Sequence, residues 1–272
     1  MKTSKDTLGD RMKELEGVFD FRTMPLVPVI CRLDGKNFHT FTKGLRRPFD
    51  IRLSNVMTEL TTFLVEETGA LIGYTQSDEI TLIWHSTDRD SQIYFDGRVT
   101  KMVSISAAMA SVKFNQLIAQ NIPEKSKLNP LFDSRVWHVP NRSEAIAALI
   151  WRQNDCLKNA ISMAAQSYYS PKQLHGKTGE EKQEMLFQKG VNFNDYPAFF
   201  QRGSLVLKRL KSIRFSAKEL ESLPPLHAAR SNPDLMVTRS VVEVVDLPPL
   251  TRIANREAVL FEGATPNEVP AI

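Results

Sequence analysis

The order of apolar segments in the first 140 residues constrains the fold more than any other feature of this sequence. Residues 27–33 form a largely apolar run that is typical of a buried strand. Residues 71–74 and 80–83 are shorter apolar runs separated by polar residues, a pattern that predicts two strands joined by a tight turn. A further strand is predicted at 135–139.

Two long segments with helical spacing lie between these strands. Apolar residues recur with a helical period over 51–64, where Gly69 would end the helix, and over 97–120. A shorter amphipathic helix is predicted over 7–21. The resulting order is strand, helix, strand, strand, helix, strand, in which two crossover helices return to one sheet. We therefore predict an α+β fold, a split βαβ (ferredoxin-like) antiparallel sheet with helices on one face, the arrangement also used for polymerase palms.

The rest of the chain predicts a helical extension and a small appendage. Residues 143–169 and 178–188 have helical patterns, whereas the sequence from about residue 222 is rich in proline, contains a β-rich stretch at 236–245 and has a loose carboxyl end. We predict a core with an N-terminal helix at 1–140, a helical extension of the same domain at 141–207, and a C-terminal appendage at 208–272.

Acidic residues mark the ends of the predicted central strands. Asp34 follows the first strand, and Asp78 and Glu79 lie between the second and third. Such residues can simply form turns. If the strands are neighbours, however, the carboxylates converge and need a cation, and oxygen ligands favour magnesium over zinc. Gly35 would allow backbone N–H groups to approach a triphosphate.

Composition indicates a globular protein with a slightly basic surface. The chain has 272 residues, is 42% hydrophobic, and carries a net charge of +4 with a pI near 9.0, which is compatible with a polyanionic partner. Cys31 and Cys156 have no metal-binding spacing and predict reduced thiols. With no signal-peptide core and no apolar run long enough to span a membrane, we expect a cytoplasmic protein that does not interact with membranes.

A series of short motifs in a fixed order gives a more specific indication. They are RLDGKNFH (32–39), RPFD (47–50), YTQSDE (74–79), FDSRV (132–136), WRQNDC (151–156), LHGKT (174–178), KQEMLF (182–187) and QRGS (201–204). In this order the sequence resembles the tRNA(His) guanylyltransferase family, the reverse (3'-5') polymerases. The resemblance covers roughly residues 10–207.

The resemblance implies a palm-like catalytic core with two magnesium ions. Asp34, Asp78 and the backbone oxygen of Gly35 would be the metal ligands, and Glu79 would complete the acidic catalytic set. Members of the family activate a 5'-monophosphorylated RNA end, which the 3'-hydroxyl of an incoming nucleotide then attacks. Two metal ions suit this chemistry because they activate the attacking oxygen and neutralise the leaving pyrophosphate.

The resemblance also implies sets of nucleotide and RNA contacts. The implied nucleotide-binding residues are Gly35, Lys36, Asn37, Phe38, His39, Arg47, Ser77 and Lys101. The implied RNA or phosphate contacts are Arg135, Arg152, Asn159, Lys182 and Arg202. A helical lysine is as often solvated, and a helical arginine often forms only a salt bridge. The three tryptophans, Trp84, Trp137 and Trp151, could stack on bases, but we expect core packing for all three because each lies in an apolar run.

One segment differs from the family pattern and bears on the substrate. Eukaryotic members continue after the WRQNDC motif with His-Ile-Asn-Asn-Leu-Tyr-Asn, whereas residues 157–163 retain Asn159 and an apolar position. This resembles the bacterial and archaeal like-proteins and favours template-dependent repair of tRNA 5' ends with ATP, GTP and other NTPs. The alternatives are untemplated G addition to tRNA(His), an RNA-binding protein that has lost catalysis, or a nucleotide cyclase or other transferase that acts on free NTPs. The resemblance further implies a homotetramer, a dimer of dimers.

Overall fold

A six-stranded antiparallel sheet forms the centre of the molecule. The computed structural model describes residues 7–232 and 234–269. The strands are β1 (Val29–Gly35), β2 (Ile72–Gln76), β3 (Glu79–Trp84), β4 (Phe132–His138), β5 (Ser204–Arg214) and β6 (Met236–Val245). Their order in the sheet is β4-β1-β3-β2-β5-β6, and neighbouring strands pair antiparallel. The mixed helix and antiparallel-sheet architecture expected from the sequence is therefore present.

Helices connect and flank these strands. They are α1 (Thr7–Gly17), α2 (Phe38–Phe41), α3 (Ile51–Thr68), α4 (Val99–Asn121), α5 (Arg142–Gln166), α6 (Pro171–Leu174), α7 (Gly179–Phe187), α8 (Ala198–Arg202), α9 (Ala217–Ser222), α10 (Ala228–Ser231) and α11 (Arg256–Phe261). Short 3-10 turns lie at Tyr94–Gly97, Pro123–Leu128, Phe193–Asp195 and Leu250–Arg252. The side chain of Asp50 caps α3 by accepting from the N–H of Arg52, and Gly69, at φ 69°, ends α3 as predicted.

Helices α3 and α4 cover one face of the sheet. Alternate residues of β1, among them Cys31 and Leu33, point into this core and meet Leu60 and Phe114 of the two helices. Gly73 of β2 permits a close helix–strand approach, because a Cβ built there would lie 2.7 Å from side-chain atoms of both Thr61 and Val65. The α3–β2 contact thus depends on the absence of a side chain.

Helix α5 and the C-terminal residues cover the other face, which corrects the expectation that helices lie on one face alone. Ile30 and Ile72 from the sheet pack with Leu149 of α5 in a second core. This core also contains Leu250, Ile253, Val259 and Leu260. The apolar residues of 250–260 thus close a face that α5 alone leaves partly open, and the loose end expected around Pro266 and Pro270 stays a prediction.

Strands β5 and β6 continue the sheet beyond the predicted core. Only the first part of β5, residues 204–207, pairs with β2, whereas β5 and β6 pair along their whole length. The predicted boundary between 207 and 208 falls inside β5. The three-part division stays a prediction, and its outermost residues, 1–6 and 270–272, lie outside the described part of the chain.

Helix α4 is the longest apolar helix. By length and mean hydropathy, 1.2, it would be able to span a membrane, contrary to the expectation from the sequence. Its face bearing Met102, Ala110 and Phe114 is buried against the sheet. That packing is the arrangement of a core helix in a globular protein.

Candidate active site

The predicted acidic residues meet at one end of the sheet. Asp34, near the end of β1, is the cross-strand partner of Glu79, the first residue of β3. The N–H of Gly35 donates to the carbonyl of Asp78 at 3.2 Å and so ties the end of β1 to the β2–β3 turn. Ser77 occupies the left-handed region in this turn, at φ 49°. The hairpin therefore brings together two motifs more than forty residues apart.

Asp78 and Asp34 repel each other when both are charged. The pKa of Asp78 is raised to about 6, mainly by burial and in addition by the charge of the Asp34 carboxylate. The hydroxyl of Ser77 donates to Asp78 at 3.0 Å and partly offsets both effects. A cation between the two carboxylates would remove this electrostatic cost.

Glu79 belongs to a buried ion pair. Only 7% of Glu79 is exposed, and Arg152 Nε donates to its carboxylate at 2.6 Å. The same guanidinium donates to Asp155 at 2.8 Å. Burial raises the pKa of Glu79, while Arg152 and Arg32 oppose that shift. Glu79 thus positions Arg152 beneath the site. Two carboxylates accept hydrogen bonds from Arg152, and its phosphate contact stays a prediction.

The loop after β1 uses its glycine for packing. A Cβ on Gly35 would overlap the ring of Phe38, whose nearest atom would be 2.2 Å away. Phe38 is 5% exposed and packs on Phe41, Phe114 and Phe132. The N–H groups of Gly35 and Lys36 bond to the carbonyls of Asp78 and Leu131. The Phe38 ring therefore belongs to the core and its nucleotide contact stays a prediction, whereas Lys36 and Asn37 are exposed beside Asp34.

A cavity of about 490 Å³ opens next to the carboxylates. Its walls come from the loop between α2 and α3, the β2–β3 turn, α5 and α8. Ser77 lines it directly beside Asp78, and Met57, Phe199 and Phe200 provide apolar surface. The mixture of apolar walls with a few polar groups is typical of a small-molecule site.

Cations surround the entrance of this cavity. Lys43, Arg46 and Arg47 line it and are exposed. No salt bridge involves their side chains within the described residues. His39 also lines the cavity, where its Nε2 lies 3.1 Å from the hydroxyl of Thr40. Three cations without acidic partners beside two carboxylates form a surface suited to a metal-bound polyphosphate.

Lys101 lies away from these groups. Its ammonium is 5.9 Å from the ring centroid of Phe95. Phe95 packs on Tyr94, which stacks on Trp84 at the last residue of β3. Asp34 is opposite the first residue of β3, so Lys101 is at the other end of the strand. Within one chain Lys101 therefore lies away from the carboxylates, and its nucleotide contact stays a prediction.

The other predicted RNA contacts are dispersed. Arg135 is exposed on β4 and pairs with Asp133 at 3.2 Å. Asn159 lines the cavity and donates to Asp155 at 3.2 Å. Lys182 on α7 bonds the hydroxyl of Ser162 on α5, and Arg202 pairs with Asp246. Arg135 and Asn159 are the members of this set that lie near the carboxylates.

Sequence reasoning missed residues that line the cavity. Gln76 is buried, and no hydrogen bond of its side chain appears among the described residues. Cys156 also lines the cavity, and burial raises the pKa of its thiol to about 11. Both lie inside the quoted motifs, so the motifs contained the signal even though the roles were assigned to their neighbours.

The oxygen donors at this edge of the sheet suit magnesium, which keeps water and substrate phosphates as ligands, better than a metal ion coordinated by protein side chains alone. Within residues 7–232 and 234–269, no group of three or more His, Cys, Asp or Glu side chains is arranged to hold a metal ion. Magnesium usually binds through one or two carboxylates, substrate phosphates and water. Asp34 and Asp78, beside a cation-rimmed cavity, match that pattern.

Comparisons with known proteins identify the family. The sequence profile described as Thg1: tRNAHis guanylyltransferase matches residues 9–140. The tRNA(His) guanylyltransferase of Saccharomyces cerevisiae is 30% identical over 204 residues, covering 68% of this chain and 84% of that protein. The chain belongs to the tRNA(His) guanylyltransferase family. It is therefore a member of a family of nucleotidyltransferases.

Solved structures of the tRNA(His) guanylyltransferase family have the same fold. A bacterial Thg1-like protein in complex with ATP matches with a TM-score of 0.70 and 37% identity, covering 74% of this chain and 88% of that one. A bacterial Thg1-like protein in complex with GTP matches with a TM-score of 0.69 and 30% identity, over 90% and 94% of the two chains. The similarity thus extends beyond the segment covered by the family profile.

Proposed function

We propose that this chain is a magnesium-dependent nucleotidyltransferase that uses ATP or GTP to activate a tRNA 5' end and then adds nucleotides in the 3'-5' direction opposite a template base. The observation that carries the proposal is the junction of Asp34 and Asp78 beside the cation-rimmed cavity. Relatives solved with ATP and with GTP support a purine nucleoside triphosphate as the ligand. The altered sequence at 157–163 supports repair over untemplated G addition.

The proposed reaction has two displacement steps. In activation, an oxygen of the RNA 5'-phosphate attacks the α-phosphorus of ATP, and pyrophosphate leaves. In addition, the 3'-hydroxyl of an incoming nucleotide attacks the activated 5'-phosphorus, AMP leaves, and the hydroxyl proton passes to solvent. With GTP as the activating nucleotide, GMP leaves instead.

The position of each residue indicates its role in this reaction. Asp34, Asp78 and the Gly35 backbone oxygen would hold magnesium, which supplies activation of the attacking oxygen and neutralisation of the leaving group. Lys43, Arg46 and Arg47 would bind the triphosphate at the cavity entrance. The base would lie in the cavity between the loop after α2 and the residues of α5. Ser77 holds Asp78 in position by its hydrogen bond.

The finer structural and cellular expectations are part of the proposal. The order β4-β1-β3-β2, with α3 and α4 on one face, supports a polymerase-palm-like core. Burial of both free cysteines supports a reducing, cytoplasmic setting. The family resemblance supports a homotetramer, which sedimentation equilibrium would distinguish from a monomer.

Single-nucleotide extension tests the proposed function. The substrate is a 5'-labelled tRNA lacking its first nucleotide, incubated with each NTP with and without magnesium, and with a matched or mismatched template base. Asp78→Asn should reduce product at least 100-fold, because it removes a metal ligand. Asp90→Asn is the matched control, since Asp90 is exposed in the loop after β3 at the opposite end of the sheet.

The possible results distinguish the proposed function from its alternatives. Product that requires magnesium, Asp78 and a matched template base supports templated repair. G addition whatever the template base would replace repair with the tRNA(His) reaction. RNA binding without product in any condition would replace catalysis with an RNA-binding role, and product formed from NTPs alone would indicate a cyclase.

A further inference from the structure

Trp151 is exposed, contrary to the prediction that it packs in the core. It lies on α5 and is 53% exposed, whereas Trp84 is buried. The guanidinium carbon of Arg152 is 4.5 Å from its ring centroid, and that of Arg32 is 5.4 Å away. Because an exposed indole loses the free energy of burial, its position between two cations calls for a binding explanation.

Arg32 forms no direct ion pair among the described residues, although its charge lowers the pKa of Glu79. Its Nε is buried and has no hydrogen-bond acceptor, and no ion pair of Arg32 occurs within the described ranges. By contrast, Arg152 is neutralised by Glu79 and Asp155, and Arg135 by Asp133. Arg32 also faces Arg135 directly across the β1–β4 pair. Like charges in that arrangement are unfavourable, so an added anion would stabilise it.

The strand geometry places this cluster next to the carboxylates. Residues at alternate positions of a strand share a face, and Ile30 of β1 packs on the α5 face of the sheet. Arg32 and Asp34 therefore lie on that face too, about 7 Å apart along the strand. The contact between Arg32 and Trp151 of α5 agrees with this assignment.

We propose that Trp151 and Arg32 form a binding site for the 5'-terminal nucleotide of the RNA, with its base stacked on the indole and its phosphate at Arg32. The inference rests on the proposed function and locates the accepting end of that same reaction. Aromatic rings flanked by arginine bind unpaired bases by stacking, while guanidinium groups bind phosphate. The site lies on the sheet face under α5, beside the cavity assigned to the NTP.

Binding of defined RNAs in the absence of NTP tests this site. The probe is an acceptor-stem hairpin with a 5'-monophosphate and 2-aminopurine as its terminal base, compared with the same hairpin carrying an abasic terminal nucleotide. The wild type should quench the 2-aminopurine fluorescence. Trp151→Leu should weaken binding of the base-bearing RNA about 10-fold, an effect in the range of one stacked base, and leave the abasic RNA unchanged. Trp151→Phe should retain part of the affinity.

Two further variants make the test specific. Phe187→Leu is the matched control, because Phe187 is an exposed aromatic residue on α7 outside the cluster. It should bind both RNAs as the wild type does. Arg32→Gln should weaken both 5'-monophosphorylated hairpins but not their 5'-hydroxyl counterparts. Because Trp151 is exposed, circular dichroism should show an unchanged fold for its variants.

The results distinguish the two proposals. The stacking site would be overturned if Trp151→Leu bound both RNAs with wild-type affinity. It would also be overturned if the variant lost the same factor of affinity for the base-bearing and the abasic RNA. Base-dependent binding without nucleotidyl transfer would leave the site and reject the proposed function. Transfer without any base-dependent binding would retain the function and reject the site.

Discussion

At the scale of single residues, burial determines which acidic side chains remain available for chemistry. Asp34 and Asp78 stay partly open at the sheet edge, whereas Glu79 is enclosed with Arg152. The three residues are equivalent in the sequence pattern. We expect their different partners to give them different roles, because a buried carboxylate that accepts a 2.6 Å hydrogen bond from a buried guanidinium has less capacity left for a metal ion.

The Glu79–Arg152 pair should be structural. Arg152→Met leaves Glu79 buried without its partner, so we expect the free energy of unfolding to fall by about 3–5 kcal/mol. Arg135→Met removes an exposed arginine and should cost about 0–1 kcal/mol. Urea unfolding followed by circular dichroism measures both. Similar losses for the two variants would show that the buried pair has no special structural role.

Asp78→Asn should stabilise the metal-free protein at neutral and alkaline pH. The pKa of Asp78 is raised from 3.8 to about 6 in the folded state, so the ionised carboxylate destabilises the fold above pH 6, and this cost disappears as pH falls towards 4. In EDTA at pH 8 the variant should gain on the order of 1–3 kcal/mol, with a higher Tm, and at pH 4 the difference should vanish.

Magnesium should reverse the order of the Tm values of the wild type and Asp78→Asn. Added magnesium should raise the Tm of the wild type at pH 8 and have a smaller effect on Asp78→Asn, because only the wild type retains both carboxylates. A Tm gain that is independent of pH in EDTA would show that repulsion and burial at Asp78 are not its cause.

At the scale of elements, close backbone approaches decide how the strands and helices meet. Gly73 lets α3 rest on β2, and Gly203 lets the chain pass from α8 into β5 beside Tyr74. A Cβ on Gly203 would lie 2.5 Å from the Tyr74 hydroxyl oxygen and 2.6 Å from the Thr75 carbonyl oxygen. The hydroxyl of Tyr74 in turn donates to the carbonyl of Arg202. This junction forms one wall of the cavity.

Gly203→Ala should therefore be more destabilising than Gly176→Ala. Both glycines have φ 73°, but Gly203 also has ψ −175°, a conformation that is essentially restricted to glycine, and no atom lies within 4 Å of a Cβ on Gly176. The extra cost at Gly203 should be about 1–3 kcal/mol, since the neighbouring backbone must shift. Chemical denaturation of the two variants gives the difference directly, and equal losses would mean that the close approach relaxes without cost.

At the scale of the whole molecule, the C-terminal residues close the core. Leu250, Ile253, Val259 and Leu260 are buried against α5 and the sheet. The tip between β5 and β6, residues 215–235, is largely exposed in its described part. The two parts of the predicted appendage therefore contribute differently to stability.

Removal of residues 250–272 should destabilise the entire chain. Each buried aliphatic side chain contributes about 1.5–3 kcal/mol, so the loss of four should exceed 5 kcal/mol and leave an aggregation-prone protein. As a control, residues 215–235 are replaced by Asn-Gly, which suits the direct pairing of Arg214 with Met236. We expect this variant to remain within about 2 kcal/mol of the wild type. A stable, soluble 1–249 chain would restore the view of a dispensable appendage.

Local sequence patterns were sufficient to predict the helices and strands and part of the candidate site. The apolar runs around Asp34 and Asp78 predicted β1, β2 and β3 because strand periodicity is a short-range property, and Asp50 and Gly69 delimit α3 for equally local reasons. The surroundings of Lys101 and Arg152, by contrast, could not be predicted from local sequence. They depended on the direction of α4 along β3 and on which acidic group lies under α5, and neither appears in a local window.

The sequence by itself determined the order of the elements, the position of the acidic residues at strand ends and the family. Tertiary structure alone decided that Glu79 is paired, that Trp151 is exposed beside Arg32, and that residues 250–260 seal the second core. The physical reason is that strand register and helix packing bring together residues far apart in the chain. Burial, pKa and partner choice are set by those long-range contacts.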